Sequence, residues 1–321
     1  MLRSRKRARI NDPPPVTDYA VLPAKVAGSF RSSSTCPSIA LRIEPVVKSV
    51  YRFIDKKTFL DWGLTSDWHV DGPRKRRTPG VSESADHALV ASEKGKGTRH
   101  KNACSEGYGE MTEGSIERLF LVLKTLCTSQ PAAADSVPSR VRTPSDYRLD
   151  DSVNMSTAST FIDIGSGYGK VVMHAALSAK VAKAVGIEYV ASRAAMAINS
   201  KNDLVHGNHV FMTKCARCAL RDVCDLEHGD ATKYGTFNFS HVYIYDKVFS
   251  VSTLQLLARQ LAKSPFKVLV SYQRIETWRR LGLNHIVEVA ATRMRTTGGQ
   301  TFKAYIFVKQ TQFMIAEEFS S

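Results

Sequence analysis

With 321 residues and 43% apolar content, the chain can bury a sizeable core; its length suits one large α/β domain with extensions, or two small domains. No apolar run approaches the roughly 18 residues needed to span a bilayer, and the amino terminus lacks the apolar region of a secretory signal, so neither a membrane-spanning nor a secreted product is expected. The formal charge of +15 and pI near 9.6 point to a polyanionic partner, with added solubility as the plainer alternative.

Residues 1–40 carry basic residues from Arg3 to Arg9, then Pro13, Pro14, Pro15 and a serine run ending at Ser34. They have no periodic apolar face and are expected to be a basic disordered arm: a nuclear-localisation signal, a phosphate-binding tail or merely a solvated one. Residues 41–107 are expected to form a small amino-terminal region with a connector. Within it, apolar content recovers between about 40 and 72, read as a short strand followed by a helix, and a polar, basic connector containing Arg74 to Arg77 follows. The main domain is expected from 108 to 321. In it, Ile116, Leu119, Phe120 and Leu123 share one helical face, with Thr112 or Ser115 able to cap that helix. Residues 127–157, rich in Ser, Pro, Ala and Arg, are expected to be a loop insertion.

From Phe161 the pattern alternates. The apolar run Phe161 to Ile164 reads as a buried strand, Val171 to Leu177 as a helix and Val185 to Val190 as a second strand, which together imply a parallel βαβ crossover. A long helical region is predicted from about Ser192 to Arg221, followed by strands Val223 to Leu226 and His241 to Tyr245, helix Thr253 to Ala262 and strand Phe266 to Ser271. A last antiparallel pair, Ile286 to Met294 and Thr301 to Val308, turns at Gly298 and Gly299.

The first strand breaks into Gly165, Ser166, Gly167, Tyr168, Gly169 and Lys170. Glycines at alternate positions permit positive φ and bring the backbone close to a ligand. The G-x-G-x-G spacing departs from the dinucleotide pattern, and no phosphate-gripping G-x-x-x-x-G-K-[ST] loop is present. Asp163, Glu188, Asp230 and the Tyr245-Asp246 pair sit at or just beyond successive strand ends, where an open parallel sheet binds ligands. Glu188 lies about twenty residues beyond the last glycine, the spacing of a carboxylate that accepts ribose hydroxyls. An acidic lining suits a cofactor with a ribose and a positive charge but no phosphate, which describes S-adenosylmethionine.

The run from Phe161 to Val172 resembles the first motif of class I S-adenosylmethionine methyltransferases. It is most similar to the form found in the disruptor-of-telomeric-silencing (Dot-one) family of histone H3 lysine methyltransferases that lack a SET domain. Tyr108-Gly-Glu110 looks like that family's lid, and Gly186-Ile-Glu188 like its second motif. The resemblance implies a class I methyltransferase, Rossmann-like and mostly parallel seven-stranded sheet with a carboxyl-terminal antiparallel hairpin. It also implies a nuclear enzyme acting on nucleosomal histone H3, with the basic amino-terminal segments contacting DNA. By this match Tyr108, Glu110, Thr112, Asp163, Gly165, Ser166, Gly167, Gly169, Lys170, Glu188, Asp230 and Ala231 would surround the cofactor: Asp163 and the glycine turn at the methionine end, Glu188 at the ribose and Asp230 at the adenine amine. Thr112 is equally a helix cap.

Phe249 and Tyr305 fall where the family places aromatic walls of the lysine channel, with Tyr243 or Tyr245 as further candidates. Where the family has an asparagine pair, this chain has Tyr245-Asp246. Asp246 is expected either to orient the amine or accept its proton through water, or to act as a cap. Transfer to RNA, to another protein or to a small molecule is the alternative reading, and a chromatin-binding protein with altered catalysis is a third. Cys215, Cys218, Cys224 and His228 invite a zinc site, but sparse, irregular cysteines favour reduced, buried thiols; His174 reads as a satisfied core residue.

Overall fold

The computed structural model describes residues 43–58, 110–127 and 147–315. The basic arm, the connector, Tyr108 and residues 128–146 lie outside the described residues. No helix among those described is long and apolar enough to cross a membrane.

Helix α1 (Pro45–Lys57) opens on a proline, whose fixed φ suits the first turn, and buries Val47, Val50, Tyr51 and Ile54. The strand expected ahead of it would fall outside the described residues, and the helix does not stand apart as a small region: it packs on the elements of the main domain. Helix α2 (Glu113–Lys124) presents the expected face, burying Ile116, Leu119, Phe120 and Leu123. Thr112 is its cap, its hydroxyl accepting from the Ser115 amide at 3.3 Å.

Of the expected loop over 127–157, the described residues 147–157 include regular structure. Strand β1 (Tyr147–Leu149) pairs antiparallel with the last strand, β9 (Phe313–Ile315), and Val153 and Met155 are buried behind it. Three-residue strands are too short to carry a periodic signal, which is why this ribbon was not legible.

The main sheet comprises β2 (Thr160–Ile164), β3 (Lys183–Glu188), β4 (Cys224–His228), β5 (His241–Ile244), β6 (Val268–Ser271), β7 (Ile286–Arg295) and β8 (Thr301–Lys309), in the order β4-β3-β2-β5-β6-β8-β7. All neighbours are parallel except where β8 runs against β6 and β7. The chain builds outward from β2 through β3 to β4, then returns to the other side of β2 with β5. That reversal puts a crevice at the carboxyl ends of β2 and β5.

Side chains alternate across the sheet. Phe161, Ala184, Cys224, Tyr243 and Val268 face α1, α2, α3 (Lys170–His174, continued by a π-helical turn Ala175–Ala179), α4 (Ala191–His206) and α5 (Lys214–Asp222). Ile162, Ile164, Val185, Ile187, Val242 and Leu269 face α6 (Val251–Lys263) and α7 (Ile275–Arg280). Both faces are apolar and covered, as parallel sheets require.

The long helical region expected over 192–221 consists of two helices. Gly207 ends α4, where a Cβ would lie 2.5 Å from the Asp203 carbonyl oxygen. Arg217 of α5 then reaches back, its guanidinium donating to the carbonyls of Leu204, Val205, Gly207, His209 and Met212. These are the orphan acceptors of a helix end and of the loop that follows it. Arg217→Ala is therefore expected to destabilise the fold by about 2–3 kcal/mol, because several half-buried carbonyls lose their donor together. Urea denaturation should show a lower midpoint at unchanged slope.

Candidate active site

The glycine turn between β2 and α3 is fastened to β3. The amides of Gly165 and Ser166 donate to the Ile187 carbonyl at 2.8 and 3.1 Å, and Gly169 donates to the Ser166 carbonyl at 2.9 Å. Gly165, Gly167 and Gly169 have φ values of 81°, 55° and 75°, the left-handed region that favours glycine. Gly186, in the second motif, serves a different need: a Cβ there would sit 2.7 Å from Val172 Cγ2 and 2.8 Å from the Ser166 side chain, so β3 needs glycine for the turn to lie against it.

Above the turn opens a cavity of about 670 Å³. Of the residues named from the sequence, Glu110, Asp163, Gly165, Ser166, Gly167, Lys170, Glu188, Asp230, Ala231, Tyr245 and Phe249 line it. Four carboxylates from four separate segments thus reach one crevice at the reversal point of the sheet. Gly169 stands behind the wall, against Leu226. Thr112 caps α2 instead of reaching the cavity, and Tyr108 lies outside the described residues.

Each carboxylate has its own setting. Both oxygens of Glu188 accept backbone amides, Gly167 at 2.7 Å and Val190 at 2.8 Å, and each keeps a second lone pair for a ligand. Asp230 accepts from the Thr232 amide at 2.9 Å and the Thr232 hydroxyl at 2.6 Å. Its partial burial works to raise its pKa, but those hydrogen bonds and Lys233 outweigh it and hold the carboxyl below its ordinary value. Asp163 is 2% exposed, and its Oδ1 has no hydrogen-bond partner. Burial pushes its carboxyl well above the usual carboxylate range, and the Glu188 charge pushes it further. A buried, unsatisfied acceptor in a cavity wall costs free energy unless a donor or cation arrives there.

Part of the lining is aromatic and apolar, with Tyr243 next to Asp163 in the sheet register and Phe249 against Gly165, joined by Tyr245, Val248 and Leu257. The Tyr243 hydroxyl shares a hydrogen bond with that of Tyr272 at 2.9 Å, and the Tyr245 ring stands edge-on to Tyr272 at 4.9 Å.

Two residues expected at the methyl-transfer end do not line the cavity. Asp246 is fully buried beneath it, its carboxylate accepting from the Ser271 hydroxyl and, at 2.9 Å, from the Tyr272 amide. Burial pushes its pKa up to about 6, against the pull of those donors. This is the capping alternative, joining the end of β5 to the end of β6. Asp246→Ala is expected to cost about 2–4 kcal/mol of stability, since the Tyr272 amide would be left buried without an acceptor, while cofactor affinity of the folded fraction stays near wild type. Melting curves and calorimetric titration on the same samples check both halves. Tyr305 faces away too, stacked beside Phe307 at 6.3 Å under the Lys303 ammonium.

The sequence did not single out the wall contributed by Tyr189, Arg193, Thr232, Ser252, Thr253 and Leu256. Of these, Tyr189 alone directly follows a strand, and position after a strand was the signal that could have found it; the others lie further on, in the loop after β4 and in helices α4 and α6. The zinc alternative has no geometry: Cys224 faces the core, Cys215 is exposed, and no group of three metal-ligating side chains converges among the described residues. His174 is fully buried and satisfied, bonded to Tyr51 Oη at 3.2 Å and Glu117 Oε2 at 2.7 Å.

The turn, the second motif, Glu188 and Asp230 all fall within or next to residues 147–229. That segment matches the family model of the histone methylation protein DOT1. The DOT1 match covers about a quarter of the chain, and no curated protein gave a match. Among solved structures, the chain is similar to TrmN from Thermus thermophilus (14% identity, TM-score 0.35, 48% of this chain and 45% of that one). It is also similar to Sp1610 of Streptococcus pneumoniae, a putative tRNA (m1A22) methyltransferase (15%, 0.33, 48% and 65%). A third is magnesium protoporphyrin IX methyltransferase from Synechocystis PCC 6803 with bound SAM (13%, 0.35, 49% and 72%). The chain thus spans under half the length of the first and just under two-thirds of the second. The DOT1 match and the observed strand order agree with the class I methyltransferase fold expected from the motifs, whose cofactor is S-adenosylmethionine. The residues present fit that cofactor: a buried carboxyl with one oxygen unpartnered suits a cationic ligand, and a turn with glycine at alternate positions suits close backbone approach.

Proposed function

We propose that this chain is an S-adenosylmethionine-dependent protein-lysine N-methyltransferase acting on a histone H3 lysine within the nucleosome core. The observation that carries the reading is the buried carboxyl of Asp163, whose Oδ1 has no partner, in a cavity that it lines together with Glu188, Asp230 and the aromatic side chains of Tyr243, Tyr245 and Phe249, at the DOT1-matching segment. When bound, S-adenosylmethionine supplies an electrophilic methyl group on a sulfonium cation.

Asp163 and the amides of the 165–169 turn would hold the methionine end, Glu188 the ribose hydroxyls and Asp230 the adenine amine, with Glu110 and Tyr108 closing over them. Tyr245 and Phe249, with Tyr243 behind, form an apolar passage that excludes water. A lysine side chain, with an ordinary pKa of about 10.4, is favoured there in its neutral, nucleophilic form. In-line transfer then needs alignment more than covalent assistance, so the wall's shape is its main contribution. Asp246 acts from beneath by fixing the β5 end that carries Tyr245.

The charge of +15 supports a nucleosomal acceptor over an isolated peptide, with the basic segments in residues 1–40 and 74–77 bound to DNA and the protein resident in the nucleus. Deleting residues 1–40 is expected to weaken nucleosome binding and flatten its salt dependence; an unchanged salt slope would count against DNA contact by the arm. The deciding experiment is transfer of labelled methyl groups to an acceptor panel of nucleosomes, free histones and RNA. Label on H3 in nucleosomes supports the proposal. Label on RNA alone would overturn it in favour of an RNA methyltransferase.

A further inference from the structure

Helix α1 contributes no residue to the cavity wall, yet it is tied to the wall through polar contacts. Tyr51 and Asp55 are one turn apart on α1, and Lys170 and His174 are one turn apart on α3, so the two helices meet along matching faces. The Lys170 ammonium contacts both the Asp55 and Glu110 carboxylates, and lies 5.9 Å from the centre of the Tyr51 ring. One turn further on, His174 joins Tyr51 to Glu117, whose Oε2 also accepts from Ser178 at 2.7 Å. The Lys170 side chain is only 5% exposed, whereas that of Asp55 is 53% exposed and lies outside the cavity. Glu110 is fixed at its backbone as well, its carbonyl accepting from Thr297 at 2.9 Å.

We propose that Asp55 is a positioning residue for the cofactor site, acting through Lys170 on Glu110; this rests on the S-adenosylmethionine reading above. A lysine in the wall of a site for a cation is a repulsive element unless its charge is offset. Glu110 alone would leave the pair neutral. With Asp55 the trio carries a net negative charge beside Asp163 and Glu188, and Lys170 is drawn toward α1, away from the ligand space. The same contact orders the Glu110 segment, because Lys170 grips α1 and Glu110 together. Helix α1 is thereby part of the binding device rather than a passive cover.

The test is calorimetric titration of the full chain with S-adenosylmethionine and with S-adenosylhomocysteine, which lacks the methyl group and the sulfonium charge. Asp55→Asn is expected to weaken S-adenosylmethionine binding about fivefold, a modest change because Asp55 is half exposed and screened. The loss for S-adenosylhomocysteine should be smaller, and Asp55→Glu should restore most of the affinity. Lys57→Met, which removes the 2.7 Å pair between the same helix and Asp203, should leave both affinities unchanged and so controls for general loosening of α1. Wild-type affinity in Asp55→Asn, equal losses for the two ligands, or an equal loss in Lys57→Met would each overturn the inference while leaving the cofactor site standing. Failure of the wild-type chain to bind either ligand would overturn the site reading itself, and this inference with it.

Discussion

Gly165→Arg is expected to abolish methyl transfer, lowering the rate to nucleosomes by at least about a thousandfold, while the protein still folds. Two effects combine. The residue has φ of 81°, where a side chain costs on the order of 1–3 kcal/mol, and an added Cβ would already stand 3.0 Å from Phe249 Cζ. The rest of the arginine would have to enter the cavity or displace Phe249, the aromatic wall itself. Either way the ligand space is filled and a fixed positive charge is set where a cation should bind. Circular dichroism and a melting curve should show a folded protein, because the new side chain projects into the crevice and not into either apolar core. Undiminished transfer of labelled methyl groups would overturn the assignment of the turn.

Asp163→Asn is expected to make the ligand-free protein more stable and its cofactor binding about a hundredfold weaker or worse, the loss of a buried charge-assisted contact. The sign follows from burial. The native carboxyl has its pKa raised above the unfolded value of about 3.9, by burial first and by Glu188 second. Below about pH 4 both states hold the proton and nothing is lost. As pH rises past that value the unfolded chain ionises more readily, so native stability falls until the folded carboxyl also ionises. Asparagine removes this loss, and the gap in melting temperature between variant and wild type should therefore widen from pH 4 toward neutrality. Scanning calorimetry across that range, with cofactor titration at neutral pH, checks both effects. A variant that melts lower at neutral pH, or that binds as tightly as wild type, would contradict the role given to Asp163. The trade is the usual one for an acidic group kept dry to receive a cation.

Much of this architecture was legible because the sheet is buried on both faces. Runs such as Phe161 to Ile164 and His241 to Ile244 are mostly apolar, interrupted by Asp163 and opened by His241, so strand positions were readable, and residues at strand ends follow from topology. That is why Asp163, Glu188 and Asp230 could be named before any geometry was known. What a strand end does not reveal is direction. Tyr245 and Asp246 are adjacent, yet one lines the cavity and the other turns into the base to join β6, a choice set by Ser271 and the Tyr272 amide, both distant in sequence. Tyr305 was assigned by resemblance, and strand alternation puts it on the same face of β8 as Phe307, on which it stacks outside the cavity lining. The break at Gly207 was hidden because helical periodicity continues on both sides; the cue was Arg217, whose partners are backbone atoms that no residue pattern displays. Helix α1 was missed as a companion of the site because its link is a single side chain reaching Lys170 across a long sequence separation.

The short ribbon of β1 and β9 has an architectural meaning of its own. Strand β9 follows the end of β8 that pairs with the start of β7, while the segment after β1 runs to His241, the first residue of β5, through the Val153 carbonyl at 3.1 Å. Entry to the sheet unit and exit from it therefore lie side by side, at the pole opposite the crevice. The two ends of the described sheet unit are thus tied together where the parallel strands begin, away from the carboxyl ends at which Asp163 and Glu188 line the cavity.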